Sequence, residues 1–241
     1  ENKNSLLKVE MMFLDLLANY QWDRPIYIVS KGGDLNLGIK DYLRYEGMAY
    51  KLMPFKVPDL QADVPEMDAD KMYDLLMNVY KWGRMDEPGV LLDFHVTYLI
   101  LIQQAVRQMH SQVAKALILK GENTKAEEVL DKGLEVMKYY PLNYVAQASM
   151  NEVGVMEAIE LYYFLEKPDK ARALATQFLD ESYRAIKYFL SPFKGGFLSS
   201  SDAETAISTY VHVKDILDVN GEKELAKKYT DTLEELFKKY Q

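Results

Sequence analysis

A glycine-rich loop is the first place in this sequence where chemistry could be expected. Lys31, Gly32, Gly33 and Asp34 follow a short stretch with strand character and precede a helical pattern, the position at which many α/β folds bind phosphate. The loop lacks both glycine-rich phosphate-binding patterns, and the Asp34 carboxylate would repel an anion. We therefore expect a simple connecting loop. It is also the first place to look for a small ligand, because loops at the carboxyl ends of parallel strands often bind one.

Tyrosines form the second candidate site. The chain has 18 of them, and those proposed here as a partner-binding surface are Tyr139, Tyr140, Tyr144, Tyr162 and Tyr163. On the surface of a helical array, such side chains could act as aromatic platforms for a peptide or a sugar. They could equally fill gaps between irregular helices while their hydroxyls reach water.

The sequence predicts no metal site and no cofactor. Its three histidines, His95, His110 and His212, show no spacing typical of metal ligands, and there is no cysteine to supply a thiolate. Asp68-Ala69-Asp70 has the Asp-x-Asp shape with which some glycosyltransferases hold a divalent cation. The same residues fit a helix start better, because Asp68 can accept hydrogen bonds from the exposed amides there.

Charge and hydropathy narrow the possible partners. The chain of 241 residues has a formal net charge of −8, so it lacks the concentrated basic surface that nucleic acids require. Its apolar runs are far shorter than the roughly 20 residues of a spanning helix, so we expect that the chain does not cross a membrane. It begins with Glu1 instead of methionine, which indicates a fragment or a processed product.

The residues that must position the glycine-rich loop predict a small α/β unit. An apolar helical stripe over residues 6–19 is followed by strand patterns at 26–29 and 49–55, with a helical pattern over 37–46 between them. A strand, a helix and a strand form a βαβ unit, whose strands are normally parallel. Helices, including the opening one, must cover such a small sheet.

The rest of the sequence has the periodicity of amphipathic helices. We predict three irregular helix pairs, over residues 94–138, 144–190 and 201–240, with a loop over residues 189–201. Gly121 precedes Ala126 by five residues, Gly221 precedes Ala226 by the same interval, and Pro168 with Ala171 lies in the equivalent place between them. The alanine intervals of 45 and 55 residues exceed the roughly 34 of a tetratricopeptide unit, but each signal suits a helix end followed by a closely packed helix.

The predicted fold class is therefore mainly α, with a βαβ unit followed by an irregular tetratricopeptide-like superhelix. A turn signal at residues 86–89 places the boundary between a domain over residues 1–88 and a helical-repeat domain over 89–241.

Four blocks of sequence carry a family resemblance. They are residues 14–19 (LDLLAN), 22–27 (WDRPIY), 42–54 (YLRYEGMAYKLMP) and 72–78 (MYDLLMN) with 81–83 (KWG). In these blocks, which lie within about residues 5–95, the chain resembles the C-terminal soluble region of a family of large bacterial membrane proteins. That family is similar to protein O-mannosyltransferases. Arg24-Pro25, Gly47 and Trp82-Gly83 match family positions with structural roles.

The resemblance implies a polytopic N-terminal half that uses a lipid-linked sugar and carries the catalytic carboxylate. The chain itself would then be a non-catalytic, extracytoplasmic (periplasmic) domain that binds an acceptor protein or peptide, or stabilises the membrane-embedded half of the same polypeptide. No residue here inherits a catalytic role. The alternative is a free-standing helical-repeat adaptor that binds a peptide, and an enzyme with its site beside Lys31 is a third possibility.

Overall fold

A computed structural model describes residues 5–29, 37–57, 66–90, 106–142, 154–190 and 200–240. The chain divides into two compact units, Glu1–Val79 and Tyr80–Gln241. The turn predicted as the domain boundary, residues 86–89, lies within the second unit. The described residues are mainly helical, with one three-stranded sheet near the N-terminus, so the predicted mainly α class is confirmed.

The described part of the first unit contains two α-helices and three short strands. Helix α1 is Lys8–Ala18, strands β1, β2 and β3 are Tyr27–Ile28, Leu43–Glu46 and Ala49–Leu52, and helix α2 is Ala69–Asp74, continued by a π-helical turn over Leu75–Val79. Asp68 accepts a hydrogen bond from the Lys71 amide at 3.1 Å, which confirms the predicted cap of α2.

The predicted βαβ unit is wrong. All strand pairs are antiparallel, in the order β1-β3-β2, and residues 37–46, predicted as a helix, form one 3₁₀ turn followed by β2. Leu43 and Tyr45 are buried on either side of half-buried Arg44, which is the alternation of a strand. Gly47 starts a tight turn with φ of 71°, so the chain reverses into β3 instead of leaving a helix.

The second unit consists of helices in three successive pairs. The first pair is α3 (Val106–Leu119) with α4 (Asn123–Val136), the second is α5 (Gly154–Phe164) with α6 (Pro168–Leu190), and the third is α7 (Ser200–Val219) with α8 (Lys223–Tyr240). Their described parts agree with the three predicted helix pairs. Most of the predicted loop over residues 189–201 lies outside the described residues, and α6 continues through Leu190.

The same turn joins the two helices of every pair. Gly121, Glu166 and Gly221 have φ of 79°, 57° and 89°, and each donates its amide to the carbonyl three residues earlier. The next amide reaches the carbonyl five residues earlier in all three turns, which completes a Schellman motif. The alanine five residues after each of these positions is buried. The predicted repeat signal is therefore a repeated helix end, with glutamate in the glycine position of the middle turn.

Small residues let α3 pack closely against two neighbouring helices. A Cβ atom on Gly133 of α4 would lie 2.7 Å from the His110 ring, and one on Gly154 of α5 would lie 2.5 Å from the Gln108 amide nitrogen. The Ser111 hydroxyl donates to the Gly154 carbonyl at 2.8 Å. Helix α3 therefore has two buried faces, one against α4 and one against α5.

Candidate functional site

An open cleft between the end of α4 and the middle of α6 is the main candidate site. It measures about 360 Å³ and is lined by Lys138, Tyr139, Tyr140, Pro141, Gln177, Glu181 and Arg184. We call it the α4–α6 cleft. Two of the predicted partner-binding tyrosines, Tyr139 and Tyr140, belong to its wall.

Buried Arg107 fixes the wall that follows α4. Its guanidinium donates to the carbonyls of Pro141 at 2.6 Å, Tyr140 at 2.9 Å and Met137 at 3.3 Å. Burial lowers the pKa of Arg107 to about 10, against the opposing effect of the Glu181 charge, so the side chain stays cationic at neutral pH. A helix C-terminus leaves carbonyls unsatisfied and carries partial negative charge. At the end of α4, Arg107 supplies both hydrogen-bond donors and a positive charge.

Glu181 holds the same wall from the opposite side. One carboxylate oxygen accepts the Leu142 amide at 2.6 Å, and the other accepts the Gln177 side-chain amide at 3.1 Å. Because both oxygens are hydrogen-bonded and the carboxylate faces the Arg107 charge, Glu181 is a structural anion. The turn between Met137 and Leu142 is therefore clamped by two charged side chains from α3 and α6.

Two cations of the cleft remain open to a ligand. Lys138 and Arg184 are exposed, and within the described ranges neither has a carboxylate partner in an ion pair. The Lys138 ammonium lies 5.0 Å from the centre of the Tyr139 ring, while the Arg184 Nε–H reaches only the Asp180 carbonyl, at 3.3 Å. The Tyr139 side chain is 51% exposed. The cleft thus combines an accessible aromatic ring with two available positive charges.

The other predicted tyrosines have different environments. Tyr140 is buried and donates to the Val90 carbonyl at 3.3 Å. Tyr162 is buried and donates to Asp131 at 2.8 Å, so its ring offers no exposed surface. Tyr163 is half-buried and its hydroxyl is enclosed. Tyr144 and the loop of Lys31, Gly32, Gly33 and Asp34 lie outside the described residues, and the ligand site predicted there stays a prediction.

Helix α1 carries a second candidate surface, in the first unit. Its one buried side chain is Glu10, which accepts the Leu7 amide at 2.7 Å. Large apolar side chains along and just before the helix are between 41% and 64% exposed. These residues, which we call the α1 apolar surface, are Leu6, Leu7, Val9, Met11, Met12, Leu14 and Leu16. Contiguous exposed apolar side chains of this kind mark interaction sites.

Comparison with known families adds information about the first unit. Residues 1–71 match the family model for TMEM260-associated domain 2. That family is linked to membrane proteins, and the matched segment includes α1, all three strands and the start of α2. Neither a curated protein nor a solved structure matches the chain. No helix in the described part of the chain is long and apolar enough to cross a membrane.

The matched segment also contains a cluster of hydrogen-bonded side chains around the buried carboxylate of Glu46. Glu46, at the end of β2, accepts hydrogen bonds from Lys71 at 2.5 Å, Tyr27 at 2.6 Å and Arg44 at 3.2 Å. Burial raises the pKa of Glu46, but the three hydrogen bonds outweigh it and bring the pKa to about 2. A carboxylate held so firmly in the charged form is a poor proton acceptor at neutral pH. The cluster ties the sheet to α2 and is structural.

Sequence reasoning missed the charged residues that shape the α4–α6 cleft. Arg107, His110 and Ser111 are polar residues spaced like one helix face, yet all three are buried, and such a polar stripe beside an apolar stripe could have indicated a helix with two buried faces. Lys138, Gln177, Glu181 and Arg184 come from helices α4 and α6 or their ends, and no local pattern links them. Among the described residues, no group of histidine and carboxylate side chains could hold a metal ion.

Proposed function

We propose that this chain is a non-catalytic, extracytoplasmic domain of a membrane glycosyltransferase-like protein, and that its helical unit binds an acceptor or partner protein. The observation that carries the proposal is the match of residues 1–71 to a family linked to membrane proteins. The resemblance of the sequence blocks to a family similar to protein O-mannosyltransferases supports the glycosyltransferase-like part. The catalytic carboxylate would then belong to the membrane half.

The α1 apolar surface supports attachment to that membrane half. Seven large apolar side chains are exposed on a segment within the matched residues. A helix that is apolar on nearly all sides is usually buried in the complete assembly. We propose that α1 docks on the membrane-embedded half of the same polypeptide, which would cover these side chains.

The first test is the reading frame upstream of Glu1. The proposal requires several membrane-spanning segments before this chain in the same open reading frame, and their absence would refute it. The second test co-expresses the chain with that upstream half and measures co-purification in mild detergent. Met11→Gln, Met12→Gln and Leu16→Gln combined should weaken co-purification. Leu119→Gln, Phe164→Gln and Val219→Gln, at exposed apolar positions of the helical unit, form the matched control and should not.

A free-standing helical-repeat adaptor is the second candidate. The three helix pairs with identical turns, and the α4–α6 cleft beside the first of them, favour it because repeat proteins use such surfaces to bind peptides. It requires a start codon or a secretion signal immediately upstream of Glu1. The same reading frame therefore separates the two proposals.

A further inference from the structure

We infer that the α4–α6 cleft binds an acidic segment of a peptide, with carboxylates at Lys138 and Arg184 and an adjacent side chain against the Tyr139 ring. This inference rests on the partner-binding role proposed above and names the chemical class of the partner. It follows from the charge of the cleft, from its fixed shape and from the separate side chains that supply its positive charge.

The charge of the cleft is positive once structural interactions are taken into account. Among the described residues that line it, Glu181 is the one carboxylate, and its oxygens are occupied by the Leu142 amide and the Gln177 side chain. Lys138 and Arg184 have no carboxylate partner in the described part of the chain. The chain as a whole has a formal net charge of −8, but the described lining of the cleft has two cations that make no ion pair. An anionic ligand would complement it.

The cleft is also fixed before a ligand arrives. Arg107 and Glu181 hold five groups of the turn and of α6 by hydrogen bonds between 2.6 and 3.3 Å. Both clamping side chains come from helices, which are rigid elements. A fixed backbone lowers the ordering cost of binding, so weak contacts with a short segment can still produce measurable affinity.

The described lining of the cleft differs from a common type of phosphate site. Phosphate sites commonly use the exposed amides of a helix N-terminus, whereas this cleft lies after the C-terminus of α4. Arg107 neutralises the helix end but is buried beneath it and is committed to three carbonyls. What remains for the ligand is a pair of separate side-chain cations beside an exposed ring. Separate cations suit carboxylates spaced along an extended peptide, with an apolar or aromatic side chain between them.

The test measures binding of fluorescently labelled peptides to the complete chain by anisotropy. One peptide alternates Glu with Ala around a single Phe, the second replaces every Glu with Gln, and the third replaces every Glu with Lys. We expect the acidic peptide to bind most tightly, and its affinity to fall as salt is added. In the Lys138→Ala/Arg184→Ala variant the affinity should fall about two- to thirtyfold, the range typical of two exposed ion pairs.

A matched control removes the same charge elsewhere. Lys187→Ala/Lys227→Ala changes exposed lysines of α6 and α8 outside the cleft and should leave the affinity for the acidic peptide unchanged. Lys138→Glu/Arg184→Glu should reverse the preference, so that the Lys peptide binds more tightly than the Glu peptide. Because these side chains are exposed, the helical circular dichroism of all variants should match that of the parent chain.

Four results would overturn the inference. Equal affinity for the Glu and Gln peptides would show that charge does not select the ligand, while leaving a partner-binding role intact. Equal losses in the cleft variant and its control would indicate a non-specific charge effect. Displacement of the acidic peptide by inorganic phosphate at millimolar concentration, or binding of no peptide at all, would exclude an acidic peptide site. The attachment to a membrane half is decided separately, by the reading frame and by co-purification.

Discussion

Replacing Glu166 with glycine should stabilise the helical unit. Glu166 has φ of 57° in the turn between α5 and α6, where the equivalent turns have Gly121 and Gly221. An L-residue in this left-handed conformation costs roughly 1–2 kcal/mol. Its side chain is exposed and makes no described hydrogen bond or ion pair, so the substitution removes no contact that the structure shows. Glycine would adopt the same conformation without the cost.

The net gain is smaller than this conformational cost for two reasons. Glycine has more freedom in the unfolded chain, which offsets about 0.4–1 kcal/mol. A negative charge just before α6 also interacts favourably with the helix N-terminus, typically by about 0.3–1 kcal/mol. We therefore expect Glu166→Gly to gain about 0.5 kcal/mol over the parent chain. It should gain about 1 kcal/mol over Glu166→Ala, which loses the same charge but keeps a Cβ atom.

Urea unfolding followed by helical circular dichroism measures these differences, because most helices belong to the second unit. In a thermal scan, about 1 kcal/mol corresponds to roughly 2–4 °C for a unit of this size. Gly121→Ala provides the reverse control. Its Cβ would meet no atom within 4 Å, so a loss of about 1 kcal/mol would be conformational and not steric. Equal stability of Glu166→Gly and Glu166→Ala would refute the reasoning.

Three further predictions concern buried groups. The pKa of Glu46 is lowered to about 2 from 4.5, so its charged form stabilises the first unit fully above pH 4.5. Up to about 3 kcal/mol of this stability is lost as the pH falls to 2. In acid titrations of unfolding, Glu46→Gln should abolish this pH dependence. Burial lowers the pKa of His110 to about 4 from 6.5, so urea unfolding should show about 2 kcal/mol less stability at pH 5 than at pH 7. The His110→Phe variant should lose this difference. Gly154→Ala should cost about 1–3 kcal/mol, because the new Cβ would lie 2.6 Å or less from backbone atoms of Arg107 and Gln108; full stability in a melting experiment would contradict that packing.

The helical part of the fold was largely predictable from local sequence. The stretch from Leu119 to Ala126 contains a glycine after an apolar helix and a small residue where the next helix packs, and both follow from local rules. The middle turn aligns with the other two through Pro168 and Ala171. Its left-handed residue, Glu166, has no local signal, because glutamate rarely adopts that conformation. The hydrogen bonds of the turn were needed to identify it.

The sheet is harder to predict, because one short segment fits both the periodicity of a helix and the alternation of a strand. Between Leu37 and Glu46, apolar residues fit a helical stripe, yet Leu43, Arg44 and Tyr45 also alternate as in a strand. Pairing decides between them. The Leu43–Leu52 and Tyr45–Tyr50 pairs across β2 and β3 bury side chains that a separate helix would have to bury elsewhere. Residues that are distant in sequence therefore fix the strand. The cleft cations Lys138 and Arg184 are likewise far apart in sequence, so no local pattern links them.

Helix α1 shows a different limit of sequence interpretation. Its apolar stripe correctly predicted a helix, and the usual inference is that such a stripe covers a core. In the structure the carboxylate of Glu10 is enclosed while Met11, Met12 and Leu16 remain at least half exposed. Burying a carboxylate is unfavourable unless it is hydrogen-bonded, and here the Leu7 amide provides a partner at the helix start. The capping hydrogen bond thus stabilises the start of α1, while most of the apolar side chains of the helix stay exposed. Those side chains are available for another surface, and the match of this segment to a family linked to membrane proteins is the reason for proposing a membrane-embedded half as that surface.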